Sequence, residues 1–359
     1  MRIGLHVGQL CQPVPGGIGR YVECLIDALP TAGVGVVPFA AGAPPRPPEG
    51  FVDLGRPTGR WRYEAWHRLR RPAVSLPGAP VDVVHAPSLA VPPAEPLVVT
   101  VHDLAFRALP DAFTKQGRRF HERGLALARA EAAAVISPSE STRRSLIDDG
   151  FTADRIHVAP HGADIVDDEL PGPDAVAEVR KRAGIDGPFV LAVGTVEPRK
   201  GFEVAAAAVQ SLAGATPVDL VIAGPDGWGE LSGLDAPRVR RLGAVSRDRL
   251  DALYRSASAT LVPSTYEGFG FPALEAMARG CPVIASDATS LPEVVGDAGI
   301  LVEPGDVQGW RAAIDDVLCD SERREELAAA GRRRAAEFTW ARSAAAHLRA
   351  YEAARAAHS

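Results

Sequence analysis

Short apolar segments alternate with helix-forming segments along most of the chain. Each apolar segment has the length of a buried strand, about 4–8 residues. This order predicts a parallel sheet that is covered by helices on both faces. In the first part, the predicted strands are 1–8, 34–39, 81–85, 97–101, 133–137 and 155–159, and the predicted helices are 18–29, 61–71, 116–131 and 139–149. In the second part, the predicted strands are 189–194, 218–223, 238–243, 258–262, 281–285 and 299–302, and the predicted helices are 200–213, 247–256, 272–279 and 306–318. Part of 164–187 and the end of the chain, 321–357, are also predicted to be helical.

The chain is long enough for two domains. It has 359 residues, and single hydrophobic cores rarely serve chains much beyond about 250–300 residues. An acidic stretch rich in Pro and Gly at 164–187 contains no strand-like segment and predicts the junction. The predicted organisation is α/β, with Rossmann-like doubly wound domains at 1–165 and 166–338 and a terminal helix at 339–359.

Composition excludes several classes of protein. A net charge of −6 argues against a nucleic-acid partner. The sequence has no apolar segment of the 18 or more residues that predict a spanning helix, and His6 and Gln9 interrupt the apolar start too early for a signal peptide. The four cysteines form neither a CxxC pair nor a Cys/His cluster, so we expect no disulfide framework, no zinc site and a cytoplasmic location. They are Cys11, Cys24, Cys281 and Cys319.

The segment Ser264–Glu275 combines two carboxylates with a glycine-rich turn. Glu267 precedes the Gly-Phe-Gly-Phe-Pro turn, and Glu275 is expected in the first turn of the helix that follows, with Pro272 at the first helical position. Helix starts carry free N–H groups that bind anions such as phosphate. Because proline has no N–H, the expected backbone donors are those of Gly270, Phe271 and Ala273.

Two adjacent cations follow the first strand of the second domain. The strand ends at Gly194, and Arg199 and Lys200 stand at the start of the next helix. A guanidinium can bind phosphate with two parallel hydrogen bonds, and an ammonium supplies a compact charge. Cations in this place would stabilise the negative charge of a diphosphate leaving group. The alternative is a solvated pair of cations that caps a loop.

Together these two segments resemble the signature of the retaining glycosyltransferases of family 4, which have the GT-B fold, and particularly of bacterial mannosyltransferase-like members. The resemblance implies two Rossmann-like domains that face each other across a cleft, with a terminal helix that returns to the first domain. It also implies that Arg199 and Lys200 contact the donor diphosphate, that Glu267 faces the donor sugar and that Glu275 binds the ribose. A GDP-mannose-type donor is favoured and a UDP-sugar comes next.

The first domain carries weaker matches to the same family. Gly16 and Gly17 follow the first strand and resemble a glycine loop that contacts donor phosphate, although a plain strand-to-helix turn would read the same way. His102 and Asp103 end an apolar strand, at the edge where such sheets bind ligands. By resemblance, His102 hydrogen-bonds the donor sugar near the reacting carbon. Asp103 and Tyr21 are weaker candidates for the acceptor side.

The segment 60–71 has three aromatic residues among five arginines on a predicted helix. We expect Trp66 and Arg68 to line the acceptor site. A basic aromatic helix can also lie in an anionic membrane interface, which would bring the protein to the inner face of the membrane. The third reading is an amphipathic surface helix whose aromatic residues pack inward.

We expect metal-independent chemistry without a cofactor. No Asp-x-Asp motif stands where a donor diphosphate would lie, and no residue is an evident covalent nucleophile. The expected substrates are a nucleoside-diphosphate sugar and an acceptor in glycan or secondary-metabolite synthesis. The alternatives are a nucleotide-sugar-hydrolysing epimerase of the same fold and a non-catalytic sugar-nucleotide-binding module. A Rossmann-type dehydrogenase is a further one, but 17–19 does not complete its glycine pattern.

Overall fold

The computed structural model describes residues 1–163, 171–212, 217–229 and 231–358. The chain divides into two compact units. The first unit comprises Met1–Gly162 with Thr339–Ser359, and the second comprises Ala163–Phe338. The predicted junction between residues 165 and 166 lies outside the described residues.

The first unit contains a seven-stranded sheet in which every neighbouring pair is parallel. Its order is β3-β2-β1-β4-β5-β6-β7. The strands are β1 (Arg2–His6), β2 (Gly35–Ala40), β3 (Val52–Asp53), β4 (Val83–Ala86), β5 (Leu97–Thr100), β6 (Ala134–Ser137) and β7 (Ile156–Val158). The helices are α1 (Gly16–Ala28), α2 (Gly59–Leu69), α3 (Ala105–Ala108), α4 (Lys115–Glu131) and α5 (Glu140–Asp148).

The second unit repeats this architecture with a six-stranded parallel sheet of order β10-β9-β8-β11-β12-β13. The strands are β8 (Phe189–Val193), β9 (Asp219–Ala223), β10 (Val239–Arg241), β11 (Ala259–Val262), β12 (Val283–Ser286) and β13 (Ile300–Val302). The helices are α6 (Pro173–Arg182), α7 (Phe202–Ser211), α8 (Arg247–Ser256), α9 (Phe271–Ala278), α10 (Leu291–Val295), α11 (Val307–Cys319) and α12 (Ser321–Ala335). The last helix, α13 (Trp340–Ala356), packs in the first unit.

Local sequence fixes where many helices begin. Helices α4, α5, α8, α11, α12 and α13 each follow a Ser, Thr or Asp whose side chain accepts a hydrogen bond from the backbone N–H three residues later. Such caps satisfy one of the free donors at a helix start. In the break between α12 and α13, Thr339 caps α13 by accepting from the N–H of Arg342. The predicted helical end of the chain is therefore two helices.

The predicted α/β architecture is confirmed. Each strand predicted from an apolar segment is present, because burial on both faces of a parallel sheet requires an almost continuous apolar run. The prediction omitted the two-residue strand β3 and the short helices α3 and α10, which are too short to show a periodicity. In the described part of the chain, no helix is long and apolar enough to cross a membrane.

Strand order reverses once in each sheet, between β1 and β4 in the first unit and between β8 and β11 in the second. In doubly wound sheets, ligands bind outside the carboxyl ends of the strands at such a reversal. In the second unit this place receives the segments that follow Val193 and Val262. In the first unit it receives the segments that follow His6 and Ala86.

Candidate active site

At the strand reversal of the second unit, the carboxylate of Glu267 is held by two cations and a hydroxyl. Lys200 Nζ donates to Glu267 Oε1 at 2.6 Å, and Ser264 Oγ donates to the same oxygen at 2.8 Å. Arg199 Nη1 lies 3.4 Å from the second oxygen, Oε2. We call these four residues the Glu267 cluster. The structure thus brings together three residues that the sequence predicted for one site.

The electrostatics of the Glu267 cluster fix its protonation state. Glu267 is only 8% exposed, and burial by itself raises the pKa of its carboxyl group. The charges of Lys200 and Arg199 and the hydrogen bonds from Lys200 and Ser264 outweigh burial, and the net pKa falls from 4.5 to about 2. Glu267 is therefore an ionised carboxylate at neutral pH, which can accept hydrogen bonds but cannot donate them.

Further contacts hold the Glu267 cluster in place. Arg199 Nε pairs with the buried Glu197 at 2.7 Å, and Arg199 Nη1 also donates to the carbonyl oxygen of Tyr266 at 3.1 Å. The backbone N–H of Glu267 donates to Thr289 Oγ1 at 3.0 Å. Thr289 has a φ of 51°, in the left-handed region, which costs a residue with a Cβ about 1–2 kcal/mol. The strained backbone of Thr289 therefore helps to orient Glu267, at a cost in conformational energy.

The helix after Glu267 starts one residue earlier than predicted. Gly270 precedes α9 with a φ of 115°, so Phe271 is the first helical residue and Pro272 the second. Glu275 is the fifth, and its predicted place in the first helical turn is wrong. The backbone N–H of Ala273, predicted to face an anion, donates instead to the carbonyl oxygen of Gly270 at 3.1 Å.

Glu275 has its own contacts, separate from the Glu267 cluster. Its Oε2 accepts from Tyr254 Oη at 3.2 Å, and its Oε1 lies 4.0 Å from Arg247 Nη1. Burial, followed by the charge of Glu275, raises the pKa of Tyr254 well above its ordinary value. The phenol therefore stays protonated and donates a hydrogen bond to Glu275. The predicted ribose contact of Glu275 stays a prediction.

Glycines shape the backbone around Lys200. Gly201, with a φ of 64°, lies against Pro263, where an added Cβ would stand 2.1 Å from the carbonyl oxygen. Gly194 has a φ of 145°, and an added Cβ would meet Lys200 Cε at 3.2 Å. Close approach of these two loops is what brings Lys200 to Glu267.

In the first unit, the predicted donor-binding glycines follow β1, and His102 and Asp103 follow β5. Gly16 and Gly17 are the first two residues of α1, both are exposed, and a Cβ added at Gly16 would meet no atom within 4 Å. His102 Nε2 donates to the carbonyl oxygen of Pro87 at 2.9 Å. Asp103 Oδ1 accepts from the N–H of Ala105, the first residue of α3, at 3.0 Å. The donor contacts predicted for the glycines and His102 stay predictions.

Tyr21 is not an acceptor-contacting residue in this structure. Its side chain is 0% exposed, and its hydroxyl lies 3.0 Å from Thr100 Oγ1 and 2.6 Å from His347 Nε2. The same chain of hydrogen bonds continues from Thr100 to His85 Nε2 at 2.8 Å and from His85 Nδ1 to Tyr351 Oη at 2.9 Å. Tyr21 therefore ties α1 and β5 to the terminal helix.

Trp66 is also buried rather than available to an acceptor. It is 0% exposed in the core of the first unit, and its indole N–H donates to the carbonyl oxygen of Pro72 at 3.1 Å. Arg62 turns inward as well and donates to backbone carbonyls, including that of Pro57 at 2.9 Å. The predicted acceptor contact of Trp66 is wrong, because Trp66 packs into the core, whereas Trp61 of the same helix is 65% exposed. Arg68 stays exposed and pairs with Glu64 at 2.6 Å, so its predicted role is untested.

Several residues of these sites escaped sequence reasoning. Thr289 and Ser290 follow the carboxyl end of β12, and Ser290 Oγ donates to the carbonyl oxygens of Glu267 and Phe269 at 2.9 and 2.8 Å. The signal for Thr289 and Ser290 in the sequence was that polar residues follow a buried strand. His85 gave no signal, because a single polar residue in an apolar segment is typical of a core.

The described residues contain no group of three or more His, Cys, Asp or Glu side chains that could hold a metal ion. The expected metal independence stays a prediction, since the reaction itself has to test it.

Known proteins match both units. The family described as Glycosyltransferase Family 4 matches residues 15–167, and the family described as Glycosyl transferases group 1 matches residues 176–334. The chain is 33% identical over 304 residues to the O-antigen chain mannosyltransferase B of Escherichia coli, with 80% of this chain and 79% of that relative covered. It is 36% identical over 278 residues to the D-inositol 3-phosphate glycosyltransferase of Xylanimonas cellulosilytica, with 71% of this chain and 66% of that relative covered.

A solved structure has the same fold. HepE of Anabaena, determined in complex with UDP and glucose, matches over 97% of this chain and 98% of its own, with a TM-score of 0.72 and 21% identity. The fold, the two family matches and the mannosyltransferase relative agree with one another. The chain belongs to the GT-B glycosyltransferases of group 1 and family 4, and the predicted class of enzyme, a glycosyltransferase, is confirmed.

Proposed function

We propose that the protein is a retaining glycosyltransferase that moves a hexose from a nucleoside-diphosphate donor to an acceptor hydroxyl in glycan or secondary-metabolite synthesis. The observation that carries this proposal is the Glu267 cluster at the strand reversal of the second unit. Buried charges are costly unless they are paired, and this cluster pairs them at the edge of the sheet where a ligand would bind.

Arg199 and Lys200 bind the donor diphosphate in this proposal. As the sugar–phosphate bond breaks, negative charge grows on the leaving phosphate, and fixed cations lower the barrier. Both cations are already held by Glu267, and Arg199 is held by Glu197 as well, so little reorganisation is needed during the reaction. The side chain of Arg199 keeps 19% of its surface exposed, which leaves part of the guanidinium for the ligand.

The two glutamates serve the sugar and the nucleoside. Glu267 is ionised and accepts hydrogen bonds from donor-sugar hydroxyls, and Glu275 accepts from the ribose of the nucleotide. The N-terminal glycines, Gly16 and Gly17, contact donor phosphate, and His102 contacts the donor sugar. Retention follows from attack on the face from which the diphosphate departs, with the leaving phosphate taking the acceptor proton.

GDP-mannose is the favoured donor and a UDP-sugar the second candidate. The mannosyltransferase relative from Escherichia coli supports mannose. The Anabaena structure contains UDP and glucose, and for this reason a UDP-sugar is the second candidate. At 21% identity, the likeness of that protein extends to the fold alone.

A transfer assay tests the proposal. The protein is incubated with GDP-mannose, UDP-glucose or UDP-N-acetylglucosamine and with 4-nitrophenyl α-mannoside as acceptor, and proton NMR follows the anomeric signals. We expect one donor to yield a disaccharide with the anomeric configuration of that donor. Inversion would overturn the retaining mechanism, and donor hydrolysis without a disaccharide from any acceptor would favour the epimerase alternative.

Metal independence is tested in the same assay. We expect EDTA to leave the rate unchanged, because two cations already neutralise the diphosphate. Strong inhibition by EDTA that Mg²⁺ reverses would contradict this expectation.

A further inference from the structure

A cavity of about 290 Å³ lies at the strand reversal of the first unit. The polar part of its lining comes from residues after β1, β4 and β5, namely Gln9, Gln12, Ser88, His102 and Asp103, with Thr100 at the end of β5. This volume is at the lower end of ligand pockets, about 300–1,000 Å³, and has room for one ring-sized group. We call it the aromatic cavity, after the aromatic residues of its lining.

The aromatic part of the lining is a cluster of rings that we call the aromatic wall. It is formed by Tyr63 of α2, Phe106 of α3, Phe113, and Phe120 and His121 of α4. The rings fix one another, since His121 stacks on Phe106 with centroids 5.2 Å apart and meets Phe120 and Phe113 edge-on at 5.6 and 6.0 Å. Leu89 and Ile18 extend the apolar surface. Such a wall binds a flat or apolar ring by burying its surface.

The lining residues carry little charge. Burial lowers the pKa of His102 and of His121 from the ordinary value of 6.5, so both rings are neutral at pH 7. His102 Nε2 donates to a carbonyl oxygen, which leaves Nδ1 of the neutral ring as an acceptor. Among the described residues that line the aromatic cavity, Asp103 is the one carboxylate and there is no lysine or arginine.

Two nearby arginines are engaged in ion pairs outside the cavity lining. Arg107, next to Phe106, pairs with Glu122 at 2.6 Å, and Arg123, which follows Glu122 on α4, lies 3.4 Å from Glu64. A phosphorylated acceptor in the aromatic cavity would place its anion beside Asp103 without a cation, which is unfavourable in a partly buried site.

We propose that the acceptor is a neutral hydroxyl compound that carries an apolar ring, and not a phosphorylated sugar or polyol. The ring packs on the aromatic wall, and the hydroxyl faces the polar part of the lining with His102 and Asp103. This proposal rests on the proposed transferase function and names its acceptor class. It separates this chain from the relatives whose name specifies inositol 3-phosphate.

Binding to the full chain without donor tests the acceptor class separately from catalysis. The probes are 4-nitrophenyl α-mannoside, cyclohexyl α-mannoside, methyl α-mannoside and inositol 3-phosphate, with saturation-transfer NMR and calorimetry as readouts. We expect the two ring-bearing mannosides to bind about tenfold or more tightly than the methyl mannoside, and inositol 3-phosphate to bind least. A preference for the nitrophenyl over the cyclohexyl ring indicates stacking, and equal binding indicates apolar burial. Strongest binding of inositol 3-phosphate, or equal binding of all four probes, would overturn the proposal.

Two variants place the binding in the aromatic cavity. Phe113→Leu should weaken the ring-bearing mannosides about fivefold while leaving methyl mannoside unchanged, because only the ring loses its contact. Phe51→Leu, the same change in the same unit outside the lining residues, is the matched control. Gln12→Lys adds a cation and should strengthen inositol 3-phosphate binding about tenfold. Equal effects of Phe113→Leu and Phe51→Leu would place the probes elsewhere.

The binding experiment and the transfer assay can contradict the acceptor class and the proposed function separately. Ring-selective binding with no transfer from any donor would contradict the proposed function but keep the neutral-ring specificity. Transfer to inositol 3-phosphate in preference to the mannosides would keep the transferase and reject the neutral acceptor.

Discussion

The two units share one topology and place their candidate sites at the same point of the sheet, but they build those sites from opposite chemistry. The second unit uses ionised groups, with Glu267 held between Lys200 and Arg199. The first unit uses neutral rings, and all nine histidines of the chain fall within its segments. The contrast teaches that a doubly wound sheet supplies a position, while the residues after each strand supply the chemistry.

The contrast also matches the division of labour in the proposed function. In that proposal, a departing diphosphate needs fixed positive charge, which Arg199 and Lys200 of the second unit supply. A neutral acceptor needs shape, apolar surface and an uncharged hydrogen-bond acceptor, which the aromatic cavity supplies. The predictions below test this division, beginning with the largest expected effect.

Loss of the buried ammonium should have the largest effect. Lys200→Ala is expected to lower kcat/KM about 10²–10³-fold, since it removes one fixed cation from the leaving group. It also leaves Glu267 with less compensation, at a cost in stability of about 3–5 kcal/mol. Steady-state kinetics and urea unfolding measure the two effects. Lys181→Ala, at an exposed lysine of the same unit, is the control.

The double variant Lys200→Met/Glu267→Gln separates stability from catalysis. Removing both buried charges should recover much of the lost stability, because no uncompensated charge remains, but it should not recover activity. Activity within about tenfold of the parent in either variant would refute the catalytic role of the Glu267 cluster.

The two units should respond differently to acid. Burial lowers the pKa of His85 and of His161 well below 6.5 and lowers that of His347 to about 4. The unfolded chain then binds more protons than the folded one between about pH 6.5 and 4, so the first unit loses stability as pH falls through this window, by up to about 1.4 kcal/mol per pH unit for each group.

The contribution of Glu267 in the second unit is lost only between pH 4.5 and about 2, where its carboxylate becomes protonated in the folded state. Hydrogen exchange, corrected for intrinsic rates, should therefore show that amides of β5 lose protection between about pH 7 and 5 while amides of β8 keep theirs. Equal loss in the two strands would contradict this account of the histidines.

The hydrogen-bond chain to α13 should contribute a smaller amount of stability. Tyr351→Phe removes the hydroxyl that lies 2.9 Å from His85 Nδ1 and leaves a buried ring nitrogen without its partner. We expect a loss of about 1–3 kcal/mol in the free energy of unfolding. His358→Ala, at an exposed residue whose contact with Glu95 is 3.8 Å long, is the control and should change little.

The smallest effect is expected on the exposed face of α2. The side chain of Arg68 is 60% exposed and pairs with Glu64 one helical turn away. Arg68→Ala should alter stability by no more than about 0.5 kcal/mol and leave the KM for the acceptor within about twofold. A large rise in that KM would bring this face of α2 into the acceptor site and blur the contrast between the two units.

How much the sequence predicts depends on the range of the interaction. Buried strands were predictable because their apolar runs are local, and Lys200 was predictable because it stands beside Arg199 after the first strand of the second unit. The start of α9 was misplaced by one residue, which moved Glu275 out of the first turn, because Gly270 at positive φ is the residue before the helix.

Burial of Tyr21 and Trp66 depended on contacts between distant segments. Tyr21 and His347 are 326 positions apart, and Tyr351 and His85 are 266 apart, so no local pattern could reveal their hydrogen bonds. Thr289 reaches Glu267 across 22 positions through the geometry of the sheet. Tertiary packing, rather than residue type, decided which aromatic residues face a ligand and which complete the core.

The central claim is that the second unit binds a nucleoside diphosphate beside Glu275 and the Glu267 cluster. Calorimetric titration of the full chain with GDP, UDP, ADP and dTDP, repeated with Glu275→Ala, tests it most directly. The account predicts that one nucleotide, GDP before UDP, binds and that Glu275→Ala weakens it about tenfold or more through loss of the ribose contact. Equal affinity for that nucleotide in the parent and in Glu275→Ala, or no binding of any of the four, would contradict it.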